Sequence, residues 1–175
     1  MKDIAIRIGQ RGNLATLETL YPAAFPDEDL LPLVRALLAE PGSLVLSLVA
    51  SVGQTLVGHI LLTLCGVQGC DAKVALLGPL AVAPDYQQAG VGAALIQAGL
   101  REVETYGVSR VLVLGDPAYY SRFGFTPESE VVPPYPLPDE WREAWQSLPL
   151  GAATEQVAGE LLVPSAWREP ALWAA

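Results

Sequence analysis

The chain has 175 residues, of which 51% are hydrophobic and 17% are charged, and its formal net charge is −9. This length and apolar content predict one folded domain with a sizeable core and exclude intrinsic disorder. The negative charge argues against a nucleic-acid partner, because nucleic-acid-binding surfaces are basic. The N-terminus lacks a signal-peptide core and no apolar run approaches the ~20 residues of a membrane span, so we expect a cytoplasmic protein with no membrane partner.

The first strand is predicted at the N-terminus, where Ile4, Ile6 and Ile8 alternate with Ala5 and Arg7. Proline and glycine then separate segments of helical and strand-like spacing. The elements predicted next are, in chain order, helices over residues 14–24 and 29–39, a strand over 44–51, its hairpin partner over 55–64, a loop over 66–72 and a strand over 73–82.

A long helix is predicted over residues 89–106, because apolar residues and glycines recur on one face and Gly107 is a good helix stop. The elements that follow are a strand over 108–114, a short helix over 117–122 and a core strand entered over 123–126. The strand, helix and strand between Lys73 and Leu114 predict a right-handed βαβ crossover. The chain is therefore predicted to have a mixed α/β fold.

The composition changes at residues 131–138, which are rich in proline, and all four tryptophans follow them. Residues 131–175 are too few for an independent domain. We therefore predict a single domain over residues 1–175, in which 131–175 is an appendage on the main sheet and 155–163 forms one more strand.

Cys65, Cys70 and the single histidine, His59, are the side chains that bear on metal and redox chemistry. A zinc site needs more soft ligands than these, and the cysteines lack C-x-x-C spacing, so we predict reduced thiols and no metal. His59 follows Gly58 within an apolar strand, which favours a structural role. A proton relay is the alternative, since histidine titrates near neutral pH.

The helix over 89–106 begins with two glycines, in Gln87-Gln88-Ala89-Gly90-Val91-Gly92. The first amides of a helix lack intrahelical partners and lie at the positive end of its dipole, where an anion binds well. Glycine at 90 and 92 removes the β-carbons that would hold a phosphate away, and Gln87 adds a side-chain donor at the rim. This segment therefore predicts a phosphate site, with close packing of a glycine-rich helix as the alternative.

Two common phosphate-binding motifs do not fit this segment. A Walker loop needs Gly-Lys-Ser/Thr, but Ala93 follows Gly92. A Rossmann fingerprint needs a third small residue where Leu95 stands, and the preceding strand ends too far upstream. The Q/R-x-x-G-x-G/A motif of acyl-coenzyme A binding fits throughout.

From Leu77 to Phe125 the chain resembles the GNAT superfamily of N-acetyltransferases, on "GPLAVAPDYQQAGVGAALI" and "VLVLGDPAYYSRFGF". The resemblance implies a central mixed sheet flanked by helices and splayed between the strands ending near Val82 and Leu114. It also implies acetyl-CoA as co-substrate and an amine as acceptor. The residues it implies for cofactor binding are Leu80, Ala81, Val82, Gln87, Gln88, Ala89, Gly90, Val91, Gly92 and Ala93.

The resemblance places a general acid on Tyr120, which would protonate the departing thiolate. A tyrosine remains protonated at neutral pH, and the predicted N-cap Asp116 and first helical residue Pro117 put Tyr120 just past the first turn. Tyr119 is the second choice, because it is turned by roughly 100°. The general base is not predicted, since the strand over 74–80 lacks the glutamate that many relatives use.

The acceptor side is predicted to be built from the hairpin, the first helices and the tail. Trp141 and Trp145 would share one face if their stretch is helical. The tail would line the acceptor pocket, form a homodimer contact or pack on the sheet. Arg101 and Arg110 are predicted to be solvated charges, with the ribose phosphate as an alternative partner. A non-catalytic acyl-CoA-binding or sensor module is the alternative function, and an interaction protein that uses the tail is a weaker one.

Overall fold

Apolar segments form the strands and helices of this protein, which we describe from a computed structural model covering residues 3–42, 44–151 and 156–174. The strands are β1 (Ile4–Ile8), β2 (Val45–Val52), β3 (Thr55–Val67), β4 (Cys70–Val82), β5 (Val108–Leu114), β6 (Thr126–Pro127), β7 (Val131–Val132), β8 (Trp145–Pro149) and β9 (Gly159–Leu162). The helices are α1 (Leu14–Ala24), α2 (Leu31–Leu38), α3 (Val91–Thr105) and α4 (Pro117–Tyr120). The predicted mixed α/β fold is confirmed.

The chain divides into two compact units. The first unit comprises Met1–Thr63 and Gly78–Val103, and the second comprises Leu64–Leu77 and Glu104–Ala175. Strands β3 and β4 each contribute residues to both units.

The first unit contains β1, β2, the first part of β3 and the end of β4, with helices α1, α2 and α3. Strands β1, β2 and β3 are antiparallel neighbours, with Ile6 opposite Ala50 and Leu48 opposite Ile60. Side chains alternate across a strand. Accordingly, Gly58 of β3 faces α3, whereas the next residue, His59, contacts Tyr21 of α1. The two helices therefore cover opposite faces of this sheet.

Gly58 sets how closely α3 approaches the sheet. A β-carbon at Gly58 would lie 2.7 Å from a methyl carbon of Val91, 2.9 Å from one of Leu95 and 3.3 Å from the carbonyl oxygen of Ala81. Only glycine fits such a contact without displacing the helix. The first turn of α3 is therefore held directly against β3 and the end of β4.

The second unit contains the β4–β5 pair, which is parallel, with Ala75 opposite Val111. Strand β8 lies antiparallel to β5, with Leu112 opposite Ser147, and β6 pairs with β8. Strand β9 pairs with both β3 and β7. Parallel and antiparallel pairs thus occur together, as predicted for a mixed sheet.

Three of the elements predicted after residue 65 differ in the structure, and those predictions were wrong. The loop predicted over 66–72 is a two-residue turn at Gln68–Gly69 between longer strands. Trp141 and Trp145 share no helix face, because Trp141 lies in a 3₁₀ segment and Trp145 begins β8. The strand predicted over 155–163 is limited to β9, and its first predicted residue lies outside the described ranges.

The C-terminal tryptophans pack together inside the second unit. The indole of Trp173 packs against those of Trp145 and Trp167, each with ring centroids 5.8 Å apart. Their N–H groups are used: Trp145 donates to the Val131 carbonyl at 2.7 Å, and Trp173 to the Trp167 carbonyl at 3.0 Å. The tail therefore contributes both a sheet strand and part of the core.

A partly buried ion pair ties β5 and β8 to the turn before β7. One carboxylate oxygen of Glu128 accepts from Arg110 at 3.0 Å and from Ser147 at 2.7 Å, and the other accepts from the amides of Glu130 at 2.7 Å and Val131 at 3.0 Å. Burial alone would raise the pKa of Glu128, but these hydrogen bonds and the Arg110 charge outweigh it, so the pKa lies below its usual value. The prediction that Arg110 is a solvated charge is wrong.

We expect Glu128→Gln to destabilise the protein by about 2 kcal/mol at pH 7, because it leaves the Arg110 guanidinium without its counter-charge. A carboxylate whose pKa is depressed by folding stabilises the protein above its unfolded pKa, and the benefit disappears as pH falls through the folded pKa. The difference between the proteins should therefore shrink in urea titrations below about pH 4.5. The exposed Glu130→Gln is the matched control, and an equal loss there would contradict the assignment.

Candidate functional site

The glycine-rich segment lies at the start of α3, as predicted. The first helical hydrogen bond of α3 runs from the amide of Ala94 to the carbonyl of Gly90 at 3.0 Å. The amides of Val91, Gly92 and Ala93 precede that bond and have no acceptor within the helix. They lie at the positive end of a helix of 15 residues. This terminus has the donors that an anion requires.

The backbone before α3 is turned by two left-handed residues. Gln88 has φ +62° and Gly90 has φ +88°. Gln88, Ala89 and Gly90 are all exposed, and a β-carbon added at Gly90 would have no atom within 4 Å. Successive peptide units in such turns direct their amides into a concavity that accepts anions. The segment is therefore open to solvent and presents backbone instead of side chains.

Gln87 occupies the predicted place but makes a different contact. Its side-chain amide donates to the carbonyl of Val82 at 3.1 Å, across the turn that contains the 3₁₀ segment Pro84–Tyr86. One N–H of the Gln87 amide is therefore engaged, and the expectation that Gln87 adds a donor at the rim rests on the second N–H. The bond ties the loop to the end of β4, and it occupies a Val82 carbonyl that was expected to be unpaired.

The end of β4 carries Leu80, Ala81 and Val82, which the resemblance implies for cofactor binding. Their backbone groups would contact the acyl arm, the part of acetyl-CoA that ends in the thioester. The parallel register between β4 and β5 ends at Leu77, opposite Val113, so these three residues lie outside it. Ala81 is fully buried, and Leu80 and Val82 are half-buried. This stretch of β4 is therefore not hydrogen-bonded to β5.

Tyr120 ends α4 in the second unit. Asp116 is the N-cap of that helix, as predicted, and its carboxylate accepts from the Ala118 amide at 3.0 Å. The Tyr120 ring packs edge-on against Tyr119 and Phe125, with centroids 5.1 and 5.7 Å away. Its hydroxyl makes no hydrogen bond in the described part of the chain. Burial raises the pKa of Tyr120, and the neighbouring Tyr119 raises it further, so the phenol is protonated at neutral pH.

Tyr119 is engaged with a cation instead. The guanidinium carbon of Arg122 lies 4.7 Å from the centre of the Tyr119 ring. Burial raises the pKa of Tyr119, while the charge of Arg122 and a hydrogen bond from it oppose that shift. The two adjacent tyrosines thus differ in surroundings.

His59 is fully buried, and both ring nitrogens are hydrogen-bonded. Its Nδ1 lies 2.7 Å from the Tyr21 hydroxyl, and its Nε2 lies 2.8 Å from the Ser47 hydroxyl. Neither partner was identified from the sequence, because they lie 38 and 12 residues away and hydroxyl residues are common. Burial lowers the pKa of His59 to about 4, so the ring is neutral at pH 7.

This burial predicts acid sensitivity. The unfolded chain binds a proton at His59 near pH 6.5, whereas the folded chain resists it until about pH 4. Stability should therefore fall as the pH drops through this window, by about 2 kcal/mol between pH 7 and pH 5. Urea unfolding at several pH values measures the slope, which His59→Gln should flatten. An unchanged slope in the variant would assign the acid sensitivity to other groups.

Metal-binding clusters and membrane-spanning helices are both absent from the described residues. Among residues 3–42, 44–151 and 156–174, no group of three or more His, Cys, Asp or Glu side chains is arranged to hold a metal ion. None of the helices in those ranges combines the length and hydropathy needed to cross a bilayer.

Comparison with known proteins gives the family. The pattern of the acetyltransferase (GNAT) family matches residues 14–125. The uncharacterized N-acetyltransferase YjhQ of Escherichia coli K12 is 38% identical over 121 residues, which is 66% of this chain and 67% of YjhQ. The uncharacterized N-acetyltransferase YhbS of E. coli K12 is 39% identical over 89 residues, but this match spans only 53% of YhbS.

Solved structures agree over nearly the whole chain. The crystal structure of E. coli YhbS in complex with CoA has a TM-score of 0.84 and 26% identity, covering 97% of this chain and 94% of that one. A GNAT acetyltransferase from Brucella melitensis in complex with acetyl-CoA has a TM-score of 0.73 and 28% identity, covering 95% and 99%.

The mixed sheet flanked by helices matches the fold of these GNAT acetyltransferase structures. This chain belongs to the GNAT acetyltransferase family. The resemblance inferred from the sequence is confirmed.

Proposed function

We propose that this protein is an N-acetyltransferase that moves an acetyl group from acetyl-CoA to the amine of a small molecule or peptide by direct attack. The observation that carries the proposal is the start of α3, where three amides without an acceptor in the helix follow the left-handed residues Gln88 and Gly90. Its membership of the GNAT family, and the CoA and acetyl-CoA bound to its structural neighbours, support the same ligand.

The diphosphate of the co-substrate would be held by main-chain atoms. The amides of Val91, Gly92 and Ala93 donate to its oxygens, and the helix dipole favours its negative charge. The exposed backbone of Gln88 to Gly90 lines the approach and has no side chain in the way at Gly90. Gln87 contributes indirectly, because its bond to Val82 holds the loop against β4.

The acyl arm would lie along the end of β4. Backbone groups of Leu80 and Ala81 are outside the β5 register and can pair with an extended amide-containing chain as a strand would. The Val82 carbonyl already accepts from Gln87, so its remaining lone pair is the one available. A backbone amide in this stretch would also stabilise charge that develops on the acetyl oxygen.

Bound acetyl-CoA supplies the activated acetyl group as a thioester. Tyr120 donates a proton to the departing sulfur, since its phenol carries that proton at neutral pH. Its hydroxyl has no competing hydrogen bond in the part of the chain that the structure describes. The amine must lose a proton in the same reaction, and the β4 segment over residues 74–80 has no carboxylate to take it.

The direct test is release of free thiol from acetyl-CoA in the presence of pooled amines, amino acids and peptide N-termini. We expect thiol release that depends on an added amine and yields an acetylated product by mass spectrometry. Boiled protein and reactions without amine are the controls. Absence of product with every pool would contradict the proposal.

A non-catalytic acyl-CoA-binding or sensor module is the second candidate. The absence of a carboxylate from residues 74–80 favours it, because binding needs no base. This candidate predicts saturable acetyl-CoA binding by calorimetry, no acetylated product in any pool and unchanged affinity in Tyr120→Phe. The two functions therefore differ in product formation, while both keep the anion site at α3.

A further inference from the structure

Three polar side chains form a continuous hydrogen-bonded chain inside the first unit. The Tyr21 hydroxyl of α1 contacts Nδ1 of His59 on β3 at 2.7 Å, and Nε2 contacts the Ser47 hydroxyl of β2 at 2.8 Å. Tyr21 is 1% exposed and His59 is 0% exposed. Burying an imidazole and a phenol among apolar residues is unfavourable unless each finds a partner.

Tyr21, at one end of this chain, is also a pocket-lining residue. Tyr21 lines a pocket of about 370 Å³ together with Phe25 and the segment that joins α1 to α2. The other end is anchored in the sheet, since Ser47 is a half-buried residue of β2. His59 is therefore hydrogen-bonded to a residue that lines this pocket.

The strand that carries His59 also adjoins the part of β4 assigned to the acyl arm, with the His59 side chain on the face opposite α3. A β-carbon at Gly58, the residue before His59, would lie 3.3 Å from the carbonyl oxygen of Ala81, and the carbonyl of Val57 accepts from the amide of Ala83 at 2.8 Å. All of these residues belong to the first unit. Strand β3 thus carries the neutral base His59 and, in the residues just before it, adjoins the end of β4.

We propose that Tyr21 and His59, oriented by Ser47, take the proton from the acceptor amine, an inference that rests on the proposed acetyl transfer. Tyr21 is the catalytic residue, because its hydroxyl would touch the amine. His59 and Ser47 act through Tyr21. The proposal supplies the base that the β4 segment lacks.

The proton transfer balances without leaving a charge on tyrosine. As the amine nitrogen bonds to the acetyl carbon, its proton passes to the Tyr21 oxygen while the Tyr21 hydroxyl proton passes to Nδ1 of His59. One positive charge moves from nitrogen to imidazole. After the product leaves, the same path in reverse releases the proton to water in the pocket.

Ser47 has a defined part in this transfer. Nδ1 can accept a proton only if it carries none, so the resting proton must be on Nε2 and donated to the Ser47 oxygen. The Nε2–H bond persists while His59 is charged and stabilises the imidazolium. Burial keeps the resting ring neutral, because it lowers the pKa of His59 to about 4.

Kinetics with an amine found active in the thiol-release assay tests the proposal. Tyr21→Phe and His59→Gln should each lower kcat on the order of 100-fold at pH 7 without changing acetyl-CoA affinity. The loss should shrink towards pH 9, where hydroxide can take the proton. Asp27, Glu28 and Asp29 line the same pocket and are present in every variant, so their effect cancels in the ratio to wild type.

A matched pair of serines on β2 separates catalysis from packing. Ser47→Ala should lower kcat, whereas Ser51→Ala, which loses a hydrogen bond to Arg7 of 3.2 Å, should not. Both changes delete one hydroxyl from the same strand, so thermal unfolding should report similar stability. Equal kcat for the two serine variants and the wild type would overturn the role of Ser47. If Tyr21→Phe also kept the wild-type kcat, the whole proposal would be overturned.

A second measurement needs no activity. The chain has one histidine, so the ¹⁵N resonances of its imidazole belong to His59. We expect the protonated nitrogen at pH 7 to be Nε2, with the Nε2 shift moving in Ser47→Ala and the Nδ1 shift in Tyr21→Phe. A proton resident on Nδ1 would overturn the proposal, whatever the kinetics.

The failures are distinguishable. An active wild-type protein with a fully active Tyr21→Phe would overturn the proton chain alone and leave acetyl transfer standing. A folded wild-type protein that binds acetyl-CoA but acetylates no amine would overturn both, because the chain would have no reaction to serve.

Discussion

Gly90→Asp is expected to weaken acetyl-CoA binding by at least about 100-fold, whereas Gly90→Asn should retain most of it. Two unit charges about 5 Å apart at an effective dielectric of about 20 repel by about 3 kcal/mol, which corresponds to roughly 100-fold in affinity. The aspartate would face the diphosphate across the amides of α3. Calorimetric titration of acetyl-CoA into each variant measures the difference.

Gly90 is the better of the two motif glycines for this test. Its φ of +88° is one that Asn and Asp adopt more readily than other non-glycine residues, and a β-carbon there meets no atom within 4 Å. Gly92 is buried in the first turn of α3, so a larger residue there would disturb packing as well as binding. Equal affinities for Gly90→Asp and Gly90→Asn would mean that the diphosphate does not lie at this helix start.

Local patterns were sufficient for the elements whose signals are local. Alternating isoleucines predicted β1, Gly107 marked the end of α3, and the buried face of α3 contains the residues predicted from helical spacing. The same holds for Asp116, because an N-cap is recognised from the residues next to it. The glycine-rich segment was also predicted as an anion site from the sequence, since its chemistry depends on backbone geometry within six residues.

Interactions between distant residues account for what the sequence did not predict. Strand β3 continues through Gly66 and Val67, where it pairs with β9. The β9 partners lie almost a hundred residues later in the sequence. Trp145 is in a strand because β5 pairs with it, and this tertiary contact overrides the helical spacing from Trp141.

The candidate site shows the same division. The bond from Gln87 to Val82 depends on the conformation of the turn between them, which the composition of the segment does not reveal. That His59 would have Tyr21 and Ser47 as partners depends on the packing of α1 against β2 and β3. The sequence identified His59 as a titratable group in an apolar strand, and only the packing gave it neighbours.

Tyr120 and Tyr119 form a natural pair for testing the general acid. They are adjacent on α4, and their rings contact each other edge-on. The Tyr119 ring is occupied by Arg122, while the Tyr120 ring packs on buried Phe125 and its hydroxyl is free of hydrogen bonds in the described chain. Removing either hydroxyl leaves the aromatic packing intact, so a difference in turnover would reflect chemistry.

Tyr120→Phe is therefore expected to lower kcat on the order of 100-fold while the acetyl-CoA affinity changes by less than about twofold. A departing thiolate without a proton donor must wait for water, which affects turnover and not ground-state binding. Tyr119→Phe should keep near wild-type kcat. An acyl donor with a more acidic thiol should narrow the gap, because a better leaving group needs less help from an acid. Full turnover in Tyr120→Phe, with either donor, would remove this residue from the reaction.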